Sequence, residues 1–275
     1  MMLPSANPRS ATKKMQLNSN RLNTPVSLAR LILAVAVLAA IGPAVTDRPA
    51  SARSTVEPRA VEAASAVEVA VVPLRSPTSS AFDVASWAGA ELGGVEADVL
   101  SLALQAASAA VERGDARNPA TLTVIDFSRP STVERLWVYD LATRELLFKE
   151  FVSHGRGSGR TDATMFSNVP ESHQSSLGLY RTAETYVGKH GYSLRLDGLE
   201  RGVNDRARAR AIVMHGADYV NGAVAKAQGF LGRSLGCPAV RPEVTRELIE
   251  AVKDGGLLFA YYPDPAWLAT SAYLN

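Results

Sequence analysis

The sequence has very few of the residues from which disulfide frameworks and structural metal sites are built. Its 275 residues include one cysteine and four histidines. One cysteine makes no internal disulfide, and one thiol with four imidazoles cannot supply the cysteine-rich ligand sets of zinc or iron–sulfur modules. Disulfide scaffolds and these metal modules are therefore excluded, and no cofactor is expected.

Charged and aromatic residues are also scarce. Charged residues make up 20% of the chain, aromatic residues 7% and hydrophobic residues 47%, and the formal net charge is +2. The apolar fraction is too high for a disordered protein, and the surplus of positive charge is too small for a nucleic-acid-binding protein. We expect a globular protein with no nucleic-acid partner.

The sequence also lacks a run of the roughly 20 apolar residues that a membrane-spanning helix needs. A shorter apolar run, residues 31–45, follows four basic residues within 13–30 and precedes Ala50-Ser51-Ala52. This order is typical of a secretory signal peptide with its cleavage site. We therefore expect residues 1–52 to direct export to the periplasm or cell envelope. The alternative is an uncleaved anchor, which would then be the one contact of the protein with a membrane.

The leader carries the positive charge of the chain. Residues 1–52 hold six of the 29 basic residues and one of the 27 acidic residues. The rest of the chain has 23 basic and 26 acidic residues, so its net charge is −3. The exported part is therefore expected to be weakly acidic.

Two segments separate the leader from the main domain. Residues 53–80 are rich in Ala, Val, Ser and Pro and predict a flexible linker, with a short strand over 67–72 as the alternative. Residues 82–113 carry apolar residues at helical spacing and predict one helix, or two helices broken at Gly93-Gly94. The organisation expected is a leader, a linker, a helical segment over 81–118 and a main domain over 119–275.

The main domain consists of short strand-like runs separated by turn residues. The candidate strands are 122–127, 135–140, 145–153, 178–186, 192–197, 211–215 and 257–262. A late helix is predicted over 243–253, between Pro242 and Gly255-Gly256. This pattern predicts a mainly β fold, a sandwich or barrel with helical decoration.

The single cysteine, Cys237, follows Gly236 in a short loop-like segment, and His215 ends an apolar strand upstream. An unpaired thiol is readily oxidised in an exported protein, so its presence indicates either use or deep burial. One interpretation is a thiol nucleophile with an imidazole base; if the two form an ion pair, alkylation persists well below the free-thiol pKa of about 8.5. A buried, inert cysteine beside a core histidine is the other interpretation.

The segments 214–217 (MHGA) and 233–240 (RSLGCPAV) resemble the active-site signature of YkuD-type L,D-transpeptidases, which is His-Gly followed by Ser-x-Gly-Cys. The agreement covers roughly residues 120 to 263 and is similar to the branch called murein L,D-transpeptidase catalytic domain-like. The resemblance implies an L,D-transpeptidase-like β-sandwich or barrel, with residues 119–275 as its catalytic domain. Many members have an Arg or Asn two residues beyond the cysteine, where this chain has Ala239.

The resemblance implies roles for individual residues. Cys237 would be the acylated nucleophile and His215 its general base, while Gly236 and the adjacent amides would form the oxyanion hole. Ser234 and Gly216 belong to the loops that shape the site. Possible substrate-binding residues are Arg233 beside the nucleophile, His154 in a Gly/Ser-rich loop, and Ser176. Each also has an alternative without a substrate: Arg233 as a solvated surface residue, His154 in a hairpin turn, and Ser176 in an exposed loop.

The implied substrate is a peptidoglycan stem peptide, cut before the D-alanine at position four through a thioester. An amine of a second stem would give a 3→3 cross-link, water would make the protein an L,D-carboxypeptidase, and a lipoprotein lysine would make it an anchoring enzyme. The sequence does not choose among these acceptors. Two further alternatives are a non-catalytic wall-binding module and a metal-dependent peptidase built on His154 and His215, although no H-x-x-x-H spacing supports a metal site.

Overall fold

The structure is a computed structural model, and it describes residues 79–275. The predicted leader, most of the linker and the alternative strand over 67–72 lie outside these residues. None of the helices between residues 79 and 275 is both long enough and apolar enough to cross a membrane.

Eight β-strands form one sheet, which confirms the mainly β prediction. Seven of them lie within a few residues of the predicted strands, and the two-residue strand β7 was not predicted. The strands are β1 Thr121–Asp126, β2 Leu136–Asp140, β3 Leu146–Glu150, β4 Gly178–Gly188, β5 Gly191–Gly198, β6 Val213–Gly216, β7 Ala239–Val240 and β8 Leu257–Tyr261.

The strand order is β3-β2-β1-β8-β4-β5-β6-β7. The pairs β1–β8 and β6–β7 are parallel, and the other neighbours are antiparallel. β1 and β8 lie in the middle and are buried at almost every position, as expected of strands covered on both faces.

The two ends of the sheet approach each other just after β3. The amide of Ser153 donates to the carbonyl oxygen of Ala239 in β7 at 2.9 Å, and Gly155 forms an isolated parallel bridge with Ser234. The sheet therefore curls into a nearly closed barrel. This closure brings the Gly/Ser-rich loop, residues 152–159, against the loop that carries Cys237.

Residues 79–275 also form four α-helices: α1 Ala97–Glu112, α2 Gly222–Gln228, α3 Pro242–Val252 and α4 Pro265–Thr270. The helical stretch predicted over 82–113 is broken near the expected glycines, because Gly93 and Gly94 have φ values of 63° and 79° that a helix does not allow. Two 3-10 turns, Ser79–Phe82 and Val84–Trp87, precede the break and α1 follows it. Apolar residues of α1 belong to the same hydrophobic core as those of β1 and β8.

The late helix α3 confirms the prediction over 243–253. It begins at Pro242, whose fixed φ suits the first helical position, and it buries Leu248, Ile249 and Val252. Its Thr245 side chain lies so close to Gly216 that a Cβ there would sit 2.4 Å from Thr245 Oγ1. Gly216 therefore allows the helix to pack closely against the end of β6.

Candidate active site

The parallel pairing of β6 with β7 brings Cys237, which lies just before β7, close to the strand that carries His215. His215 in β6 pairs in register with Ala239 in β7. Cys237 comes two residues before Ala239, opposite Val213, and its Sγ lies 3.5 Å from the Val213 amide nitrogen. Because Val213 is two residues before His215 in β6, the thiol contacts the same strand that carries the imidazole.

The imidazole of His215 is oriented by a backbone carbonyl. Its Nδ1 lies 2.8 Å from the carbonyl oxygen of Gly216, and the side chain is buried, with 2% of its surface exposed. A carbonyl oxygen only accepts, so Nδ1 carries the proton in this contact and Nε2 is left as an acceptor. This is the protonation state that a general base requires.

Burial acts on both reactive groups in the direction of the neutral form. Desolvation raises the pKa of the Cys237 thiol, and the charges of Arg210 and Lys189 oppose that rise. Desolvation also lowers the pKa of His215, and the charges of His190 and Lys189 lower it further. Burial therefore favours a neutral thiol and a neutral imidazole at rest, rather than a thiolate–imidazolium pair.

The nucleophile loop, residues 233–238, is held by Ser234 and Gly236. Ser234 Oγ accepts from the Gly236 amide at 3.0 Å and donates to the Cys237 carbonyl oxygen at 2.6 Å. Gly236 has a φ of 123°, and a Cβ there would lie 2.9 Å from the carbonyl oxygen of Gln174. Because the Gly236 amide already bonds to Ser234, the amide of Cys237 is the better placed donor for an oxyanion.

The Gly/Ser-rich loop supports the nucleophile loop from one side. The Ser234 amide donates to the His154 carbonyl oxygen at 3.0 Å, and the Arg156 amide donates to the Ser234 carbonyl oxygen at 2.8 Å. The predicted role of His154 as a substrate contact disagrees with this geometry, because the His154 side chain has no exposed surface. Its Nδ1 accepts from Arg135 at 2.8 Å, and burial lowers its pKa to about 4. His154 therefore lies beneath the loop as a neutral internal residue.

The other two predicted substrate contacts differ in exposure. Arg233 is exposed, and its Nη1 donates to the carbonyl oxygen of Gly159 at 2.8 Å. Ser176 is 6% exposed and its hydroxyl is already engaged, since it donates to the Ser167 carbonyl oxygen and accepts from Arg210. Arg233 remains available to a ligand, whereas Ser176 acts within the protein in this structure.

Comparison with known proteins gives a family match over this region. The family model described as "L,D-transpeptidase catalytic domain" matches residues 91–261. This range includes Cys237, His215 and the whole sheet. The chain belongs to this family. The match begins earlier than the resemblance over 120 to 263, because it includes α1.

Solved structures of the same kind are similar at low identity. An L,D-transpeptidase from Mycobacterium smegmatis is 15% identical with a TM-score of 0.33, over 52% of this chain and 59% of that one. The helical cell shape determining protein Pgp2 from Campylobacter jejuni is 11% identical with a TM-score of 0.35, over 53% and 48%. An L,D-transpeptidase (Yku) from Stackebrandtia nassauensis is 13% identical with a TM-score of 0.32, over 60% and 68%. The aligned region is less than two thirds of the first two chains. A search of curated proteins gave no match.

His215 has two neighbours in this L,D-transpeptidase-family domain that the sequence did not single out as functional. They belong to the turn between β4 and β5, where His190 stacks on His215 with ring centroids 4.4 Å apart and Lys189 is exposed. A cleft of about 540 Å³ opens between this turn and α3. His190 lies in a turn, and the pairing of β5 with β6 brings it to the site.

Arg210 is the other neighbour of the nucleophile loop that the sequence did not single out. It precedes β6, is half-buried, and donates hydrogen bonds around the Ser176 side of the loop. Nothing in the sequence separates it from the exposed Arg206 and Arg208 nearby. Within residues 79–275 no group of three or more His, Cys, Asp or Glu side chains is placed to hold a metal ion.

Proposed function

We propose that this protein is an exported L,D-transpeptidase that acts on peptidoglycan stem peptides through a Cys237 thioester. The observation that carries the proposal is the contact of the Cys237 thiol with Val213 in β6. Val213 is two residues before His215 in that strand, which pairs in parallel with β7 just after the cysteine. The family match supports the same chemistry. Export, which rests on the predicted leader, is part of the proposal.

The reaction begins with proton transfer from the Cys237 thiol to Nε2 of His215. The thiolate attacks the carbonyl carbon that follows the L-centre of the third stem residue, and the oxyanion forms near the Cys237 amide. The carbon–nitrogen bond then breaks, and D-alanine leaves with the proton held by His215. The product of this half-reaction is a thioester between the stem and Sγ.

The second half-reaction transfers the acyl group from sulfur to an acceptor. An amine of a second stem loses a proton to His215, attacks the thioester and forms a 3→3 peptide bond while the thiol is regenerated. Water in the same position gives a tripeptide, and a lipoprotein lysine gives an anchored lipoprotein. The cleft of about 540 Å³ beside Gly216 and His190 is open to solvent and adjoins the base, which suits delivery of an external acceptor.

The half-reaction is tested by incubating the purified full chain with a disaccharide tetrapeptide and measuring free D-alanine. The wild-type protein is expected to release D-alanine, and the Cys237→Ala variant is expected to lose at least 99% of that activity. Equal release by the two proteins would contradict the role of Cys237, and release by neither would contradict the proposal and favour the non-catalytic wall-binding module. Chromatography of the same mixtures separates 3→3 dimers from tripeptides and so identifies the acceptor.

A further inference from the structure

Arg210 lies under the segment that supports the nucleophile loop. Its Nη1 donates to the Ser167 carbonyl oxygen at 2.7 Å and to Ser176 Oγ at 2.6 Å. Its Nη2 donates to the Gln174 carbonyl oxygen at 2.6 Å and to Ser172 Oγ at 3.3 Å. All four acceptors are uncharged oxygens, so the hydrogen bonds fix the guanidinium without neutralising it.

The charge of Arg210 has no ion-pair partner among residues 79–275, where no carboxylate oxygen lies within 4.0 Å of it. Arg208, two residues earlier, is the opposite case, because it pairs with both Glu184 and Asp197. A half-buried cation without a counter-charge acts on its neighbours over several ångströms, since little solvent screens it.

Arg210 approaches the nucleophile loop next to Cys237. A Cβ built on Gly236 would lie 3.4 Å from Arg210 Nη2, and Gly236 is followed directly by Cys237. The other titratable groups that act on the thiol or feel its charge are Tyr219 and Lys189. Arg210 and Lys189 are the two permanent cations among them, and Lys189 is exposed whereas Arg210 is fixed by four hydrogen bonds.

The sequence beyond Cys237 does not supply this charge. Ala239, two residues beyond Cys237, is uncharged and buried in β7. The next basic residue, Arg241, makes two hydrogen bonds to the Glu150 carboxylate, and its charge is neutralised there.

We propose that Arg210 is the positioning residue that holds the nucleophile loop and stabilises the thiolate of Cys237. The proposal rests on the proposed nucleophile. Arg241, the next basic residue after the cysteine, is paired with Glu150, whereas the charge of Arg210 is not paired in the part of the chain that the structure describes. The thiolate that forms when His215 accepts the proton would thus develop against a fixed cation.

The pH dependence of thiol alkylation tests this role without any stem peptide. The full-length protein is treated with iodoacetamide between pH 6 and pH 10.5, and mass spectrometry follows the rate at which Sγ displaces iodide. Wild type is expected to react slowly at pH 7, because burial raises the pKa of Cys237. Arg210→Gln is expected to move the midpoint up by about one pH unit, which makes alkylation at pH 7.5 about tenfold slower.

Arg208→Gln is the matched control, because it removes a neighbouring arginine whose charge is already paired; its midpoint should equal that of wild type. Thermal unfolding establishes that each variant is folded, and Arg210→Met replaces the Gln variant if the latter does not melt cooperatively.

Arg210→Lys keeps the charge and should keep the midpoint within about half a pH unit of wild type. A folded Gln or Met variant with the wild-type midpoint, or a folded Lys variant shifted as far as the neutral one, overturns the proposal. Alkylation needs only the thiol. If Arg210→Gln shifts the alkylation midpoint as expected but wild type releases no D-alanine, the result would therefore count against the proposed function alone.

Discussion

Backbone groups of β6 contact both candidate catalytic side chains, His215 and Cys237. Nδ1 of His215 is held by the Gly216 carbonyl oxygen, and Sγ of Cys237 lies near the Val213 amide. No carboxylate is needed to orient the imidazole, because the carbonyl fixes the tautomer. The positions of these two side chains are therefore determined by strand pairing and backbone contacts rather than by a third side chain.

Below these two residues, His154 and Arg135 form a buried pair that supports the Gly/Ser-rich loop. Arg135 has no exposed surface and donates to the Val152 carbonyl oxygen as well as to His154. Burial and the charge of Arg135 keep His154 neutral, with a pKa of about 4. Because this folded-state pKa lies below the value of about 6.5 in the unfolded chain, stability is lost as the pH falls from 6.5 towards 4.

His154→Gln removes this titration while keeping one acceptor and one donor at the site. We expect wild type to lose about 2 kcal/mol more of its free energy of unfolding than the variant when the pH falls from 7 to 4.5. Urea unfolding at the two pH values measures the difference, and His215, which titrates in both proteins, cancels. An equal loss in both proteins would show that His154 does not resist protonation in the fold.

At the scale of elements, the nucleophile loop depends on a glycine that no other residue can replace without movement. Gly236 combines a φ of 123° with a Cβ position 2.9 Å from the Gln174 carbonyl oxygen and from Ile212 Cδ1. We expect Gly236→Ala to displace the loop and lower D-alanine release at least tenfold, with a loss of stability of about 1–3 kcal/mol.

Gly229 after α2 provides the matched control for Gly236. It also has a positive φ, 80°, but a Cβ there meets nothing within 4 Å. Gly229→Ala should cost about 1 kcal/mol of stability and leave D-alanine release within twofold of wild type. If the two alanine variants release D-alanine equally, the loop does not depend on the close approach at Gly236.

The elements that the sequence predicted are those with strong local signals. The buried strands β2 and β8 carry near-continuous apolar runs, β1 is rich in β-branched residues, and α3 has both a proline start and an apolar stripe. β7 was not predicted, because Ala239–Val240 becomes a strand only by pairing with β6. Likewise α2, seven residues capped by Asn221, is too short to show a helical period.

The residues of the candidate site also fall into those that the sequence predicted and those that it did not. Cys237 and His215 were recognisable from their residue types and neighbours, whereas His154 was expected at a surface and lies fully buried. His190 and Arg210 reach the site through strand pairing and loop packing, which leave no periodic signal in the sequence. The sequence therefore singled out the candidate thiol and imidazole, and the tertiary fold determines which polar residues surround them.

At the scale of the whole molecule, barrel closure joins residues far apart in the chain at one loop cluster. The contacts of Ser153 and Gly155 with the region of Ser234 and Ala239 connect the end of β3 to β7. The catalytic-domain match over residues 91–261 covers every strand of this sheet. α1 and the sheet share one core, so we propose that the helical segment over 81–118 and the domain over 119–275 fold together.

The remainder of the chain is proposed to be a leader and a linker. We expect the protein recovered from the cell envelope to begin at Arg53, after cleavage behind Ala50-Ser51-Ala52. Amino-terminal sequencing and intact mass measure this directly, and an Ala52→Arg variant should retain the leader. An intact leader in the wild-type envelope protein would establish the anchor instead, and recovery from the cytoplasm alone would contradict export.

The central claim, that Cys237 carries the acyl group, is tested most directly by trapping the intermediate. The full chain is mixed with a disaccharide tetrapeptide, quenched in acid within seconds and digested, and the peptides are weighed by mass spectrometry. The account predicts that the peptide containing Cys237 gains the mass of the donor less D-alanine, and that this gain is absent in Cys237→Ala and much reduced in His215→Ala. An adduct on another residue, or D-alanine release with no adduct and no dependence on Cys237, would contradict it.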